Sequence, residues 1–408
     1  MHRLLPSLRE GTFSRIAITE RTELTIDDSR FTLKLFRSKL SVLYLYRSIF
    51  CFHFWGVIRV GLPKHFVMPT TTSAVSEKLA FGTTVADHML NATYDRGAWS
   101  EGNIEAYHTL QLAPTAMVLH YGQSIFEGMK AFRMTDGRVS IFRIRKHWQR
   151  FCASADRMCM PAIPEELFTE GLKALVAKDA AWVPEAPDGA LYLRPFLFAT
   201  EERFGVGVSE RYQFITFSGP VQGLYDKPLR VKVEDRYIRA AHGGVGYAKC
   251  AGNYGGALYP TQLAKKEGYD QVLWTDGSPD LNIEESGTMN VAFVINGTLV
   301  TPALSDTILD GVTRDSFITI AREWGMPVEE RTLSAWELVD AAARGELEEA
   351  FGFGTAAVAA PIALIAVKEK ELRLPALTED AFCMRARRHL GDIRRGLAPD
   401  RYSWNTIV

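Results

Sequence analysis

The stretch H-G-G-V-G-Y-A-K-C-A-G-N-Y-G-G-A-L, residues 242–258, sets Lys249 among glycines on both sides, with aromatic rings at Tyr247 and Tyr254. Glycines let a backbone approach a ligand closely. A lysine desolvated in such a place can lose its proton and attack a carbonyl carbon to form a Schiff base. On composition alone a surface lysine in a flexible loop stays open, since lone lysines are mostly solvated. A nucleotide P-loop is excluded, because Ala248 and Cys250 stand where that motif needs glycine before the lysine and serine or threonine after it.

Downstream, N-I-E-E-S-G-T-M-N-V-A-F-V (282–294) puts Glu284 and Glu285 before a Gly-Thr turn and an apolar strand. Acids there usually mark a solvated strand end. A carboxylate set against a ring nitrogen would instead keep a pyridine protonated and make it an electron sink. G-F-G-T-A-A (352–357) formally meets the dinucleotide fingerprint, with Glu371 about 20 residues on. Its context speaks against that reading: Pro361 interrupts a strand-like A-V-A-A-P-I-A-L-I-A-V where a helix should begin, and little chain remains for a nucleotide-binding half. A nicotinamide dehydrogenase is the weaker alternative.

At 408 residues the chain has room for two domains, and a hydrophobic fraction of 47% can fill a core in each. With 47 basic against 48 acidic residues the net charge is -1, which offers no footprint for nucleic acid and favours small-molecule partners. The cysteines (Cys51, Cys152, Cys159, Cys250 and Cys383) are odd in number and form no C-x-x-C pair, which argues against a disulfide scaffold and a structural zinc site. A reducing, cytoplasmic setting fits.

Leu40 to Leu62 is apolar but broken by Arg47, His53 and Arg59, so it makes a poor membrane span. Glu20, Glu23, Asp27 and Asp28 precede it, which counts against a secretory signal and an organellar transit peptide. Residues 1–70 are read as an extension outside the fold, with Met68 opening the folded protein.

From Phe81 the texture turns to short strands. M-K-A-F-R-M-T-D-G-R-V-S-I-F predicts a hairpin at Asp136-Gly137. Ile144, Trp148, Phe151, Ala155 and Met158 recur at spacings of four and three, predicting a helix whose other face carries Arg145, Lys146 and Arg150. E-E-L-F-T-E-G-L-K-A-L-V-A reads as a second helix, and L-Y-L-R-P-F-L-F-A-T and R-Y-Q-F-I-T-F-S as strands. G-P-V-Q-G-L-Y-D-K-P, punctuated by Gly and Pro, reads as an interdomain linker over 220–228 between a smaller domain (71–219) and a larger one (229–408). The second half predicts a strand at R-V-K-V, helices near 257–267 and 313–324, an Asn296-Gly297 hairpin and strands either side of Gly352. Hairpins dominate over strict strand–helix alternation, so the class is α+β or mixed α/β.

Five separated segments then agree in order: H-Y-G-Q-S-I-F-E-G-M-K-A-F, G-Y-A-K-C-A-G-N-Y-G, E-S-G-T-M-N, D-G-V-T-R and F-G-F-G-T-A-A. Together they make the chain from about Phe81 onward resemble the branched-chain amino acid aminotransferases, two-domain fold-type IV enzymes that use pyridoxal 5'-phosphate. D-amino acid aminotransferase and aminodeoxychorismate lyase share that fold and are the nearest alternatives. The resemblance implies transamination between L-leucine, L-isoleucine or L-valine and 2-oxoglutarate by a homodimer.

It also implies roles. Lys249 would carry the cofactor and shuttle the proton. Glu285 would pair with the pyridine nitrogen, Tyr254 would donate to the phenolic oxygen, and Arg150, Val312, Thr313 and Thr355 would hold the phosphate. Thr313 stands where the predicted helix begins, and helix N-termini favour anions. Phe126 and Tyr192 would line the side-chain pocket, with Tyr121, Arg194, Thr288 and Ala356 toward the carboxylate and Phe204 and Val206 supplied by the other subunit. The chain departs from the mammalian pattern in one place: Ala357 and Ala360 stand where those members carry a C-x-x-C, so redox control by that route is not expected.

If the first 67 residues are dispensable, expression from Met68 should give soluble protein with undiminished activity. Loss of solubility or activity in that shortened chain would make the extension part of the fold.

Overall fold

The computed structural model describes residues 81–223 and 227–408. The extension and its apolar run therefore lie outside the described residues. In chain order the first part gives β1 (His88–Asp95), β2 (Ala98–Trp99), β3 (Asn103–Ala106), the short α1 (Val118–Tyr121), β4 (Ser124–Phe126), β5 (Met129–Arg133) and β6 (Val139–Phe142). Helices α2 (Ile144–Arg157) and α3 (Glu165–Lys178) follow, then the long β7 (Ala190–Ala199) and β8 (Arg211–Val221). The predicted hairpin is β5–β6, and its Gly137 sits at φ +84°, a left-handed conformation that glycine adopts without strain.

The second part supplies β9 (Leu229–Val233), α4 (Ala251–Lys266), β10 (Gln271–Thr275), β11 (Ile283–Ser286), β12 (Asn290–Ile295), β13 (Thr298–Thr301) and α5 (Val312–Glu323). β14 (Val328–Glu330), α6 (Ala335–Ala343), β15 (Leu347–Gly354), β16 (Val358–Val367), β17 (Lys370–Arg373), α7 (Phe382–Arg395) and β18 (Asn405–Ile407) complete it.

Two nine-stranded sheets result. The first runs β18-β6-β5-β7-β8-β1-β2, with β3 on β1 and β4 on β7, and every pairing in it is antiparallel. The second runs β11-β10-β9-β16-β15-β12-β13-β14, with β17 on β16; it is mixed, since β9 lies parallel to β10 and β16. Segregated hairpins with helices packed against them are an α+β arrangement, as expected. β18 is the outer strand of the first sheet although the whole second sheet precedes it in the chain.

Four details differ from the sequence reading. α4 begins at Ala251, directly after Lys249-Cys250, rather than near 257. Gly252, Gly255 and Gly256 disfavour a helix, but Asn253 Nδ2 donates to the carbonyls of Val245 (2.8 Å) and Ala248 (2.9 Å) and fixes the first turn. Gly352 does not separate two strands; it lies inside β15, opposite Val291 of β12, and the reversal comes at 355–357. A hairpin there, not a strand-to-helix turn, removes the dinucleotide reading. β8 runs on to Val221, so the connection to β9 is 222–228, shorter than the predicted segment. Finally, Arg150, placed by the sequence with Arg145 and Lys146 opposite the apolar stripe of α2, is itself buried.

The three largest packing centres among the described residues hold most of these elements. One fills the space between the first sheet, α2 and α3, where the rings of Phe151, Phe168 and Phe214 meet. A second lies between α6 and the second sheet. The third spans both sheets: Phe132 and Phe142 of the β5–β6 hairpin share it with Phe317 of α5, Phe351 and Phe353 of β15 and Leu390 of α7. The stacking of Phe317 on Phe353, 5.6 Å between centroids, fixes where α5 starts relative to the end of β15.

α7 has no side-chain cap of its own, and Glu349 from β15 supplies one: its buried carboxylate accepts from the amides of Phe382 (2.7 Å) and Cys383 (2.9 Å). Helix amides left without acceptors are costly when buried. Glu349→Ala should therefore lose about 1–3 kcal/mol of stability in urea unfolding. A change within about 0.5 kcal/mol, typical of neutral surface sites, would deny Glu349 that capping role.

Candidate active site

β4 turns sharply into β5 at Glu127-Gly128, and Glu127 points inward with none of its surface exposed. It meets Arg150 from α2 side-on: Arg150 Nε donates to Glu127 Oε1 (2.7 Å) and Nη2 to Oε2 (2.8 Å). His147 Nδ1 lies 2.8 Å from the same Oε2. Burial alone would raise the Glu127 carboxyl, but Arg150 and His147 outweigh it and hold the group well below the usual carboxylate range. Arg150 Nη1 donates to the Asp310 carbonyl (3.0 Å). A guanidinium has five N–H groups, so two remain after these three bonds. Arg150 lines the cavity into which both sheets look.

The opposite wall is the start of α5. Gly311 precedes it in an extended conformation (φ −73°, ψ 121°), with no side chain capping the helix. The amides of Val312, Thr313 and Arg314 find no acceptor among the described residues, although Val312 and Thr313 are buried. An open, buried helix N-terminus facing an arginine is a site for an anion, because free amides and the positive end of the helix dipole converge there. Gly311 is required by space: a Cβ would overlap the Asn290 side chain, whose Nδ2 donates to the Leu309 carbonyl (2.9 Å).

Lys249 enters from the glycine-rich segment. Its backbone is held on both sides, its N donating to Ser154 Oγ (2.9 Å) and its carbonyl accepting from Phe126 N (3.0 Å). Its Nζ donates to Tyr254 Oη at 2.8 Å and lies 4.8 Å from the centre of the Phe126 ring. Tyr254 is one turn into α4, which is why an early helix start matters: it brings that hydroxyl back over the lysine. Glu285, on β11, is also buried, so the bland reading of a solvated strand end fails. Its Oε1 accepts from Leu309 N (2.8 Å) and its Oε2 lies 3.2 Å from Arg239 Nε. Burial pushes the Glu285 carboxyl up, against the opposing pull of Arg239, the Leu309 amide, Lys249 and Arg150.

The remaining wall comes from β7 and the β15–β16 turn. Phe126, Tyr192 and Arg194 form one side; the Arg194 guanidinium stacks on both rings and donates through Nη2 to Tyr192 Oη (3.1 Å). Its Nε is buried without a hydrogen-bond partner among the described residues. Thr288, Thr355 and Ala356 line the cavity beside them. Thus Lys249, Arg150, Tyr254, Glu285, Val312, Thr313 and Thr355 line one cavity, together with Phe126, Tyr192, Arg194, Thr288 and Ala356. Tyr121, Phe204 and Val206 do not line it. The Tyr121 hydroxyl instead donates to the Phe204 carbonyl, and the side chains of Phe204 (78% exposed) and Val206 (83% exposed) face outward.

The Amino-transferase class IV family pattern matches residues 124–365, which contain all of these cavity residues. Branched-chain-amino-acid aminotransferase 2 of Bacillus subtilis is 41% identical over 336 residues, 81% of this chain and 92% of its own. Branched-chain-amino-acid transaminase 1 of the same organism is 48% identical over 289 residues, 70% of this chain and 81% of its own. The chain belongs to the branched-chain amino acid aminotransferases of class IV. A Thermobaculum terrenum branched-chain amino acid aminotransferase, crystallised in its PLP form, shares the fold (TM-score 0.64, 22% identity), covering 79% of this chain and 99% of that one.

Class IV aminotransferases are pyridoxal phosphate enzymes, and the chemistry of this donor set fits the group. The open helix end and Arg150 suit a phosphate, the buried Glu285 carboxylate suits a ring N–H, and Lys249 is a primary amine within reach of both walls. In this aminotransferase several contributors escaped the sequence reading. Glu127 and His147 orient Arg150, and Arg239 sits against Glu285. Lys130, 7% exposed on β5, donates to the Ala356 carbonyl (2.9 Å) and so pins the β15–β16 turn from behind. No alternation in the sequence singles it out, since Met129 to Phe132 are all buried.

Burial lowers Lys130 to about 7, helped by Arg394 and Arg387. Between about 7 and the ordinary lysine value of 10.5 the unfolded chain binds the extra proton, so stability at this position rises with pH in that window. The penalty is full below about pH 7. Relative to Lys130→Met, the native chain should therefore gain stability as unfolding is measured at about pH 7 and then at about pH 10. A difference that does not change with pH would show that Lys130 is not held near neutrality.

Proposed function

We propose that the protein transfers amino groups between L-leucine, L-isoleucine or L-valine and 2-oxoglutarate, yielding branched-chain 2-oxo acids and L-glutamate, with pyridoxal 5'-phosphate bound at Lys249. The observation that carries this reading is the convergence, in one cavity, of a buried amine, a buried carboxylate and an uncapped helix N-terminus with an arginine facing it.

When bound, pyridoxal phosphate supplies an electron-withdrawing ring that makes a substrate Cα–H bond acidic. Val312 and Thr313 amides, Arg150 and the Thr355 hydroxyl would hold its phosphate, Glu285 its ring nitrogen and Tyr254 its phenolic oxygen. Lys249 would be the catalytic residue: its Nζ would carry the covalent attachment and, when freed by substrate, would take the proton from the substrate carbon and deliver it to the cofactor carbon. Tyr254, hydrogen-bonded to Nζ, keeps that nitrogen aimed between the two walls. Phe126 and Tyr192 offer apolar surface to a branched side chain. Arg194, with a buried Nε unspent, could answer the second carboxylate of glutamate, which an apolar pocket alone would reject. Thr288 and the turn at Ala356 lie where the shared α-carboxylate would bind.

A second copy of the chain belongs to this reading. The loop carrying Phe204, Val206 and Val208 is apolar and exposed, and with Leu119 and Tyr121 it forms a surface that a homodimer would cover. That partner would bring Phe204 and Val206 to the other subunit's cavity. Amino and 2-oxo acids, not nucleic acid or membrane, are the remaining partners. Among the described residues no helix is long and apolar enough to cross a membrane. A cytoplasmic setting accords with four free cysteines there.

Lys249→Ala should still bind pyridoxal phosphate through the phosphate and ring contacts, yet lose nearly all turnover of L-leucine with 2-oxoglutarate. Borohydride reduction of the native enzyme should trap the cofactor on the peptide containing Lys249. Trapping on Lys265 or Lys266, or native turnover in Lys249→Ala, would overturn the assignment.

A further inference from the structure

Arg239 has no part in holding or moving the groups named so far, yet it is buried against the one carboxylate that faces the cofactor's ring. It lies in the coil before Lys249, in R-A-A-H. Its guanidinium is aimed by backbone alone: Nη2 donates to the carbonyls of Gly246 (3.2 Å) and Thr307. That clamp leaves Nε 3.2 Å from Glu285 Oε2, an ion pair without a hydrogen bond, with side-chain exposures of 9% and 5%. Gly246 has to be glycine here, since a Cβ would meet Thr307 and Ala240 at 2.6 Å. The clamp and the catalytic segment are therefore built from one tight contact.

We infer that Arg239 is a positioning residue which, through its ion pair with Glu285, keeps the shared proton on the cofactor's ring nitrogen rather than on the carboxylate. The inference rests on the proposed cofactor and on the role of Glu285 in it. A carboxylate and a pyridine compete for one proton across their hydrogen bond, and the less basic partner gives it up. A buried carboxylate becomes more basic as it loses water. Glu285 is in that position, for burial raises it. A fixed cation 3.2 Å from Oε2 counters this, at a distance where Coulomb energy in a protein interior is large. Lys249 and Arg150 act in the same direction from farther off. Glu284, next in the chain and itself pushed up to about 7 by burial, acts oppositely when charged. Without Arg239 the proton would settle on Glu285, leaving a neutral ring that is a weaker electron sink.

The test reads the proton directly. Apoenzyme is loaded with pyridoxal phosphate labelled with 15N in the ring, and the ring-nitrogen resonance is recorded for the native chain, Arg239→Met and Arg239→Lys. The native signal should fall in the protonated range, Arg239→Met should move it toward the free-pyridine range, and Arg239→Lys should return most of the shift. If Arg239→Met binds the cofactor with the native resonance, Arg239 is only a structural clamp and the inference is overturned. Should Arg239→Met not fold, an Arg239→Lys signal in the free-pyridine range would overturn it equally, because a retained cation is the claimed cause. Failure of the native apoenzyme to take up the cofactor at all would instead sink the function proposed above.

Discussion

A buried bidentate pair, Arg150 with Glu127, carries the geometry on which the rest of the cavity depends. Taking both charges out of water is unfavourable, and removing one partner of such a pair typically costs about 3–5 kcal/mol. The pair persists because further bonds support it: His147 on one carboxylate oxygen, the Gly128 amide on the same oxygen, and the Asp310 carbonyl on the guanidinium. These bonds join β4, α2 and the loop that leads into α5. Three elements distant in sequence are thereby set at fixed distances from one cavity, and the arginine that faces the helix end is oriented before any ligand arrives.

Bonds between side chains and backbone recur around the cavity and fix each group in place. Glu285 is aimed by the Leu309 amide, Arg239 by two carbonyls, Lys249 by Ser154 and Phe126, and the turn at Ala356 by Lys130. Val358, just after that turn, sits at φ +63°, an uncommon conformation for a β-branched residue. Strain of this kind persists only where surrounding contacts over-determine the backbone, and here β15, β16 and Lys130 all hold it.

Much of this was legible from residues alone. Glycine flanks marked Lys249, the Asp136-Gly137 and Asn296-Gly297 turns marked hairpins, and spacing marked α2, α3 and α5. What failed shares a physical cause, namely that tertiary contacts overruled local preference. Arg150 stood with Arg145 and Lys146 opposite the apolar stripe, and nothing near it in sequence announces its burial or Glu127 as its partner. α4 read as starting late because its glycines argue against helix and the Asn253 bonds cannot be foreseen. The β15–β16 reversal carries Thr-Ala-Ala, with no turn-forming residue to betray it. Arg239 stood unremarked in a coil, since only the fold brings it to Glu285. The cavity residues beyond Lys249 and Glu285 came from likeness to a family, not from periodicity.

The return of β18 to the first sheet bears on modularity. Two sheets joined by a short connection look like exchangeable cassettes, and domain boundaries usually fall where few contacts cross. Here Arg143, at the head of α2, donates its backbone N–H to the Trp404 carbonyl and sets its guanidinium over the Trp404 ring, and β18 covers the edge of β6. A fragment ending at the connection would expose that edge as a template for foreign strands. Recombination between relatives should thus be tolerated within either sheet's loops but not at the seam between the sheets, unless the β18 segment travels with the first.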